Sequence, residues 1–396
     1  MTGTSSSGSS WDTRDIDRPR AYLTVDGGSI QFWKSVEITR SIEACATSFK
    51  FSTILRQTCF DFAKGLRYHP AVQPGSAIEA GFVVGADNTQ LISGYVDSFE
   101  ISGTADEQEV TVSGRSKTAD LIDCTSLSST TAKSQWKNLD VVSLAELICT
   151  LYPVNITADV DTGAPIPRFS VEPGETCYTS LERLAAMRSL LLTDNPDGDL
   201  VFTRAGTTVL PITLTPAQCT SIRVTCDTSR LFSEYWVCGQ RHSTKADTGN
   251  ILNQVAAVSR DDLVARTRVL MVDAECEVDA ASAQARAEWE AATRHRKAVQ
   301  VHVTVPYWGY TTSAGVSPWE PNSLLDVDAP AFGIDDKQLL ITACTYKYTE
   351  QDGHTTEMIL APVGAYALLP PLEQPERSKT TKKVGAYLPT LPGGVQ

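Results

Sequence analysis

The chain has 396 residues, too many for one compact core, and 42% of them are hydrophobic, as in soluble globular proteins. Its 34 basic against 47 acidic residues leave a net charge of -13, which argues against a surface that grips nucleic acid through counterion release. No run approaches the ~18 apolar residues of a membrane span, and the amino-terminal MTGTSSSGSS lacks the basic and apolar regions of an export signal.

Residues 1–18 are Ser, Gly and charge, a composition that predicts disorder. AYLTVDGGSIQFW then reads as two strands joined at Asp26-Gly27-Gly28, a hairpin signal. Alternating runs follow at ATSFKFSTI, SAIEAGFVVG, QLISGYVDSFEIS and EVTVSGRS, which predict a small antiparallel barrel or sandwich. Helices come next. Ser143 with Glu146, and Thr179 with Glu182, have capping-box spacing ahead of Leu147, Ile148 and Leu151 and of Leu181, Leu184, Ala185 and Leu191. Strands resume at TSIRVTCD and FSEYWVCGQ, which are expected to complete the first barrel, and RHSTKADTGN reads as a polar loop. The strand RTRVLMVDAECEV precedes a helix capped by Asp279, with Ala281, Ala285 and Trp289 on one face and a Glu290–Arg294 pair. In AVQVHVTVPYW, Val299, Val301, Val303 and Val305 share one face, which leaves His302 on the solvent side. LLITACTYKYTEQDGHTTEMILAP is a hairpin turning at Asp352-Gly353.

The predicted fold is therefore mainly β with an α+β insertion: two small antiparallel β-barrel domains plus a peripheral α+β module. The expected division is a disordered segment over 1–18, a first barrel over 19–125 with 218–240, the module over 126–217, a second barrel over 241–365 and a proline-rich tail over 366–396. VGAY occurs twice near the end, at Val363–Tyr366 and Val384–Tyr387.

The chemistry-bearing patterns are few. VTVSGRSKTADL offers Lys117 and Thr118 as the end of a phosphate loop, but Thr111 and Ser116 stand where that loop needs glycines for close backbone approach. Glu172 with Glu175, and Asp194 with Asp197, are the carboxylate pairs that glycoside cleavage would require, yet both lie in turns that favour such residues for backbone reasons. The ten cysteines form no C-x-x-C pair and sit mostly in apolar contexts, which fits a reducing compartment; His69, His242, His295, His302 and His354 lie apart from one another. No catalytic residue, cofactor-binding residue or metal ligand is nominated, and the chain is expected not to be an enzyme.

Gly94 in GYVDSFEIS, then Gly114, Arg115, Ser116, Asp120 and Leu121 in a G-R-S-x-x-x-D-L pattern, resemble the baseplate hub proteins of Mu-like contractile phage tails, relatives of the hub parts of type VI secretion spikes. The resemblance continues in W-x-N-L (Trp136, Asn138, Leu139) and in Gly174 and Glu175 ahead of Leu181, Arg183, Leu184 and Ala185. It extends to SEYWVCGQ, to RAEWEAATR with Trp289, and to the W-x-P-N loop of Trp319, Pro321 and Asn322. It implies a homotrimeric ring with two barrels per chain and pseudo-sixfold symmetry, joining a sixfold tail tube to a threefold central spike in the virion baseplate. Assembly in the host cytoplasm is implied as well. The implied partners are the tube and spike proteins and other baseplate and tape-measure proteins, with DNA only passing through the lumen and no membrane. An acidic or neutral lumen would let DNA slide. The alternatives are a tail-associated peptidoglycan hydrolase and the equivalent hub of a tailocin or type VI-like particle.

Overall fold

A computed structural model describes residues 20–30, 33–55, 74–84, 87–104, 108–126, 135–166, 168–188, 190–206, 208–240, 254–262, 264–273, 280–312 and 315–366. The chain begins with β1 (Arg20–Val25), β2 (Gly28–Ile30), β3 (Ser35–Ser41), β4 (Ser48–Leu55), β5 (Ala77–Val84), β6 (Asp87–Gly103) and β7 (Gln108–Ser116). A mixed stretch follows: α1 (Ala119–Asp123), β8 (Gln135–Trp136), α2 (Val141–Ile148), β9 (Ile156–Ala158), β10 (Phe169–Ser170), α3 (Cys177–Ala186), β11 (Leu191–Asp194) and β12 (Leu200–Thr203). Next come β13 (Thr208–Leu214), β14 (Ser221–Cys226), β15 (Glu234–Gln240), β16 (Gln254–Arg260), β17 (Val269–Asp273) and α4 (Ala280–Lys297). The last strands are β18 (Val299–Pro306), β19 (Gly309–Thr312), β20 (Gly315–Pro318), β21 (Ser323–Ala329), β22 (Ile334–Thr349) and β23 (Gly353–Pro362).

The two hairpins read from the sequence form as expected. Val25 faces Gly28 across Asp26 and Gly27, both at positive φ, and Thr349 faces Gly353 at the tip of β22–β23. His302 is half-buried between the buried Val301 and Val303, the alternation expected of a strand with one face on the core.

Most strands join one 13-stranded sheet in the order β14-β18-β23-β22-β3-β4-β7-β6-β5-β1-β2, with β21 on β22 and β13 on β21. The antiparallel, mainly β architecture is thus as expected. Closure into two separate barrels is not seen among the described residues, because β22 pairs with β3 and runs the two halves together. The expectation that residues 220–240 return to the first half also fails. β14 pairs with β18, and β15 forms a small separate sheet with β16 and β17. Strand alternation shows that a segment is extended but not which distant strand accepts its backbone hydrogen bonds.

The pairings repeat. In the first half the order is β5-β6-β7-β4-β3; in the second it is β21-β22-β23-β18-β14, the same order along the chain and in space. Both long strands carry a one-residue bulge at the same place, Asp97 between Val96 and Ser98 and Thr342 between Ile341 and Ala343. Aligned on the bulge, Phe49 and Phe51 correspond to Val301 and Val303, all buried, and Val112 corresponds to Met358. Even a hydroxyl pair recurs, Ser35 to Ser52 at 2.7 Å and Ser221 to Thr304 at 3.0 Å. The halves differ outside this motif: β1 lies antiparallel to β5, whereas β13 lies parallel to β21.

The intervening module has its own core, in which Leu121, Leu144, Ile148, Leu181, Leu184 and Phe202 are buried between the helices and the sheet β11-β12-β9. Both helices start earlier than the capping-box spacing predicts. Asp140 caps α2 by accepting from the Ser143 amide at 2.9 Å, and Thr176 caps α3 by accepting from the Thr179 amide at 3.2 Å. Leu191 belongs to β11 rather than to the helix. On α4 the buried stripe is Ala283, Ala287, Glu290 and Thr293, while Ala285 is exposed and Trp289 half-buried, so the apolar face is turned from the one expected. Glu290 is held there by Arg286 at 2.9 Å and by the expected partner Arg294 at 3.1 Å. Asp279, the RHSTKADTGN loop, the first 18 residues and the second VGAY lie outside the described residues. The first VGAY is packed on the body: Ala365 and Tyr366 are buried, and the Tyr366 hydroxyl donates to Glu43 at 2.6 Å.

Candidate functional site: the joint between the halves and the module

Three parts of the chain meet where β3 crosses onto β22. Cys344 faces Arg40 and Tyr346 faces Ile38 in the register, and all four are buried. On the other face the Thr39 and Thr345 hydroxyls bond at 3.2 Å. Arg40 is 7% exposed, with Glu320 of the W-x-P-N loop 3.9 Å from its Nη1. Asp194, at the end of β11, accepts from the Thr47 amide at 2.9 Å and the Thr47 hydroxyl at 3.0 Å. Burial pushes the Asp194 carboxyl above the usual range, opposed by the charge of Arg40 and the bonds from Ser116 and Thr47. A buried base of the first half and a buried carboxylate of the module thus lie together, with a half-exposed carboxylate of the second half at the rim.

The module is fastened to the first half through the G-R-S segment. Ser116 Oγ accepts from the Thr47 amide at 3.1 Å, Thr118 donates to the Cys45 carbonyl at 2.7 Å, and Lys117 Nζ donates to the Asp197 carbonyl at 2.8 Å. The lysine and hydroxyls that mimic a phosphate loop are therefore spent on the attachment of β11 and its turn. Gly94 and Gly114 lie where β6 and β7 touch. A side chain on Gly94 would overlap the Arg115 carbonyl oxygen; one on Gly114 would overlap the Tyr95 carbonyl oxygen and come within 2.7 Å of the Phe49 ring. Arg115 bridges the bulge residue Asp97 and the α1 residue Asp123, both at 2.7 Å. Its hydrogen bond holds the Asp123 carboxyl below the usual range, whereas burial, then Asp123 and Asp97, raise that of Asp120.

The second half reaches the module through Asn322, at φ 69°, which accepts from the Gly206 amide at 2.9 Å and donates to the Arg204 carbonyl at 2.8 Å. Trp319 anchors that loop, fully buried against Tyr310, while its carbonyl accepts from Tyr346.

The remaining predicted positions sit away from the joint. Trp136 is half-buried and pairs with Phe169, Asn138 turns the chain at φ 56°, and Trp289 stacks under Arg286 at 4.9 Å. Gly174, at φ 86°, delivers Glu175 into a two-pronged bond with Arg183, 2.8 Å on each side. Burial alone would raise the Glu175 carboxyl, but Arg183 and the Glu172 amide outweigh it and hold it below the usual range. Its contribution is therefore complete above the unfolded carboxyl's value and lost as pH falls through the folded one. Glu175→Gln should cost about 1.5 kcal/mol at pH 7, and thermal melts from pH 7 to 3 should show that deficit closing in acid.

Three of the four carboxylates considered for hydrolysis are thus engaged in structure: Glu175 with Arg183, Asp194 with Thr47, and Asp197 with the Gln90 amide at 3.2 Å. Arg40 and Glu320 went unrecognised in the sequence because nothing near either residue announces a partner far away in the chain.

Comparison with known proteins agrees with this architecture. Family models match for the N-terminal domain of the Mu phage baseplate assembly protein GpP-like family over residues 20–116, the second domain of gp44-like baseplate hub proteins over 118–204, and the GpP fourth domain over 279–369. The baseplate hub protein gp44 of Escherichia phage Mu is 31% identical over 366 residues, 90% of this chain and 91% of the relative. A 43 kDa tail protein of the prophage MuSo2 from Shewanella oneidensis superposes with a TM-score of 0.73 at 26% identity, covering 88% of this chain and 99% of the other. A tail protein from Neisseria meningitidis gives 0.70 at 20% identity, over 89% and 99% of the two chains. A type VI secretion component of Escherichia coli gives 0.51 at 13%, over 88% and 80%, a likeness of fold. The chain belongs to the Mu-type baseplate hub proteins, structural parts of the phage tail baseplate rather than enzymes.

Proposed function

We propose that the two repeated halves are two equivalent wall units and that three copies of the chain form a ring of six such units, seated between a sixfold tail tube and a threefold spike. The observation that carries this reading is the duplicated five-strand order with its matched bulges, joined edge to edge through β3 and β22. In this division the first unit spans β3 to β7, the module hangs from it at Ser116–Thr118, and β14 opens the second unit. The partners are further copies of the chain, the tube, the spike and neighbouring baseplate and tape-measure proteins.

DNA would pass through the lumen without being held. On the face of the sheet turned away from the core, three cations sit against carboxylates, Lys34 with Glu109 at 2.9 Å, Lys347 with Glu357 at 2.7 Å and Arg115 with Asp97 at 2.7 Å, while Lys50 and Arg223 are exposed on the same face. Such pairs reduce the fixed positive charge available to displace phosphate counterions.

Light scattering on the purified chain tests the ring. Three copies of 42.9 kDa weigh about 129 kDa, and mass action makes the trimer appear as concentration rises. A species that stays at one chain mass at every concentration and beside the spike rejects it.

A further inference from the structure

We propose that Cys149 and Cys177, which meet in the core of the module, form a dithiol that a small peroxide oxidises to a disulfide, a modification site set between the end of α2 and the start of α3. The link lies within one chain and forms whether or not three copies assemble.

The backbone brings the two thiols together. Cys149 ends α2, its amide donating to the Ala145 carbonyl at 2.9 Å, and Cys177 opens α3 directly after the cap Thr176. Cys177 Sγ lies 3.8 Å from the carbonyl oxygen of Ile148, in the peptide unit that carries Cys149. The Cys149 thiol donates a hydrogen bond to the Cys177 sulfur. Both belong to the same apolar cluster, with exposures of 2% and 0%.

This contact sets the pair apart from other buried thiols of the chain. Burial pushes Cys45 and Cys344 up, and a protonated thiol is a poor nucleophile. At Cys177 the bond from Cys149 outweighs burial and lowers the thiol, while the same bond raises Cys149. The start of α3 favours negative charge there as well. One sulfur is thus prepared to attack and the other to keep its proton. Access runs past Cys149, which lines an open cleft of about 380 Å³ with Glu146, Thr150, Tyr152 and Asn155. With both sulfurs so deeply covered, a reagent of two oxygen atoms suits that route better than a peptide disulfide.

The chemistry balances with hydrogen peroxide as the oxidant. The Cys177 thiolate attacks one peroxide oxygen: an S–O bond forms, the O–O bond breaks, and the departing hydroxide takes up the Cys177 proton as water. The Cys149 sulfur then attacks the sulfenic sulfur of Cys177; the S–S bond forms, the S–O bond breaks, and a second water leaves with the Cys149 proton. Two electrons pass from the thiol pair to the peroxide. The product closes residues 149–177, which include β9 and β10, into a loop and restricts the unfolded chain. A virion protein is made in a reducing cytoplasm and then carried into an oxidising medium, so the pair stays reduced during assembly and links afterwards.

Mass mapping of the native chain tests the link. The folded, fully reduced protein is treated with hydrogen peroxide, its remaining thiols are alkylated in denaturant, and its peptides are weighed before and after dithiothreitol. Expected is a reducible bond between Cys149 and Cys177, with Cys45 and Cys344 still alkylated and the melting temperature raised by about 5 to 10 °C. In Cys149→Ala the rise is expected to vanish and Cys177 to run on to sulfinic acid. Cys149 and Cys177 both alkylated under conditions that oxidise the exposed Cys226 overturn the proposal. A bond from either sulfur to Cys45 or Cys124 instead, or sulfinic acid at Cys177 of the native chain without any bond, overturns it equally. Should Cys149→Ala fail to fold, the map of the native chain decides alone.

Discussion

Gly114→Ala is expected to destabilise the folded chain by about 3 kcal/mol or more, read as a fall in melting temperature of about 6 to 12 °C. The added methyl would overlap the Tyr95 carbonyl oxygen and press the Phe49 ring, and both obstacles belong to the packed first half. Backbone cannot step aside as a flexible side-chain end can, so β6 and β7 would separate next to the bulge at Asp97. Gly174→Ala is the comparison. It meets no atom within 4 Å, but its φ of 86° disfavours a side chain, so its cost is about 1 kcal/mol. If both substitutions cost the same small amount, the close approach of β6 and β7 is not tight.

Arg40→Met is expected to cost about 3 to 5 kcal/mol at pH 7, because it leaves Asp194 buried without the base beside it. The deficit should depend on pH in a defined direction. Burial already holds the Asp194 carboxyl above the usual range, and loss of Arg40 raises it further. A raised folded value favours the folded state at low pH, and that advantage fades as pH climbs past the unfolded value of about 3.9. Denaturant titrations should therefore show the Arg40→Met deficit small near pH 4 and largest at neutrality, with Asp194→Asn in the same chain recovering part of it. A deficit that is constant with pH would mean that Arg40 acts through packing alone.

What the sequence conveys divides along local and distant lines. The Asp26-Gly27 and Asp352-Gly353 hairpins are legible because a two- or three-residue turn selects its own residues. The Val301–Val305 alternation likewise reports its own burial. The helix starts are three residues off because Asp140 and Thr176 cap as well as Ser143 and Thr179 would, and only packing shows which turn is helical. The placement of β14 is illegible for a stronger reason. Its partner β18 follows only after a small sheet and a long helix, and alternation in SIRVTC fits either half equally. The signature glycines announce a need for close approach but not what approaches. The Arg40, Asp194 and Glu320 corner leaves no local trace at all, since its members come from three separate parts of the chain.

The strand that borders each repeated unit differs, antiparallel β1 beside β5 in one half and parallel β13 beside β21 in the other. In the proposed ring, any component touching only the common motif would find six near-identical footholds, while one reaching the borders would find two kinds in alternation. A single polypeptide could in this way present sixfold likeness to one neighbour and threefold likeness to another without a separate adaptor.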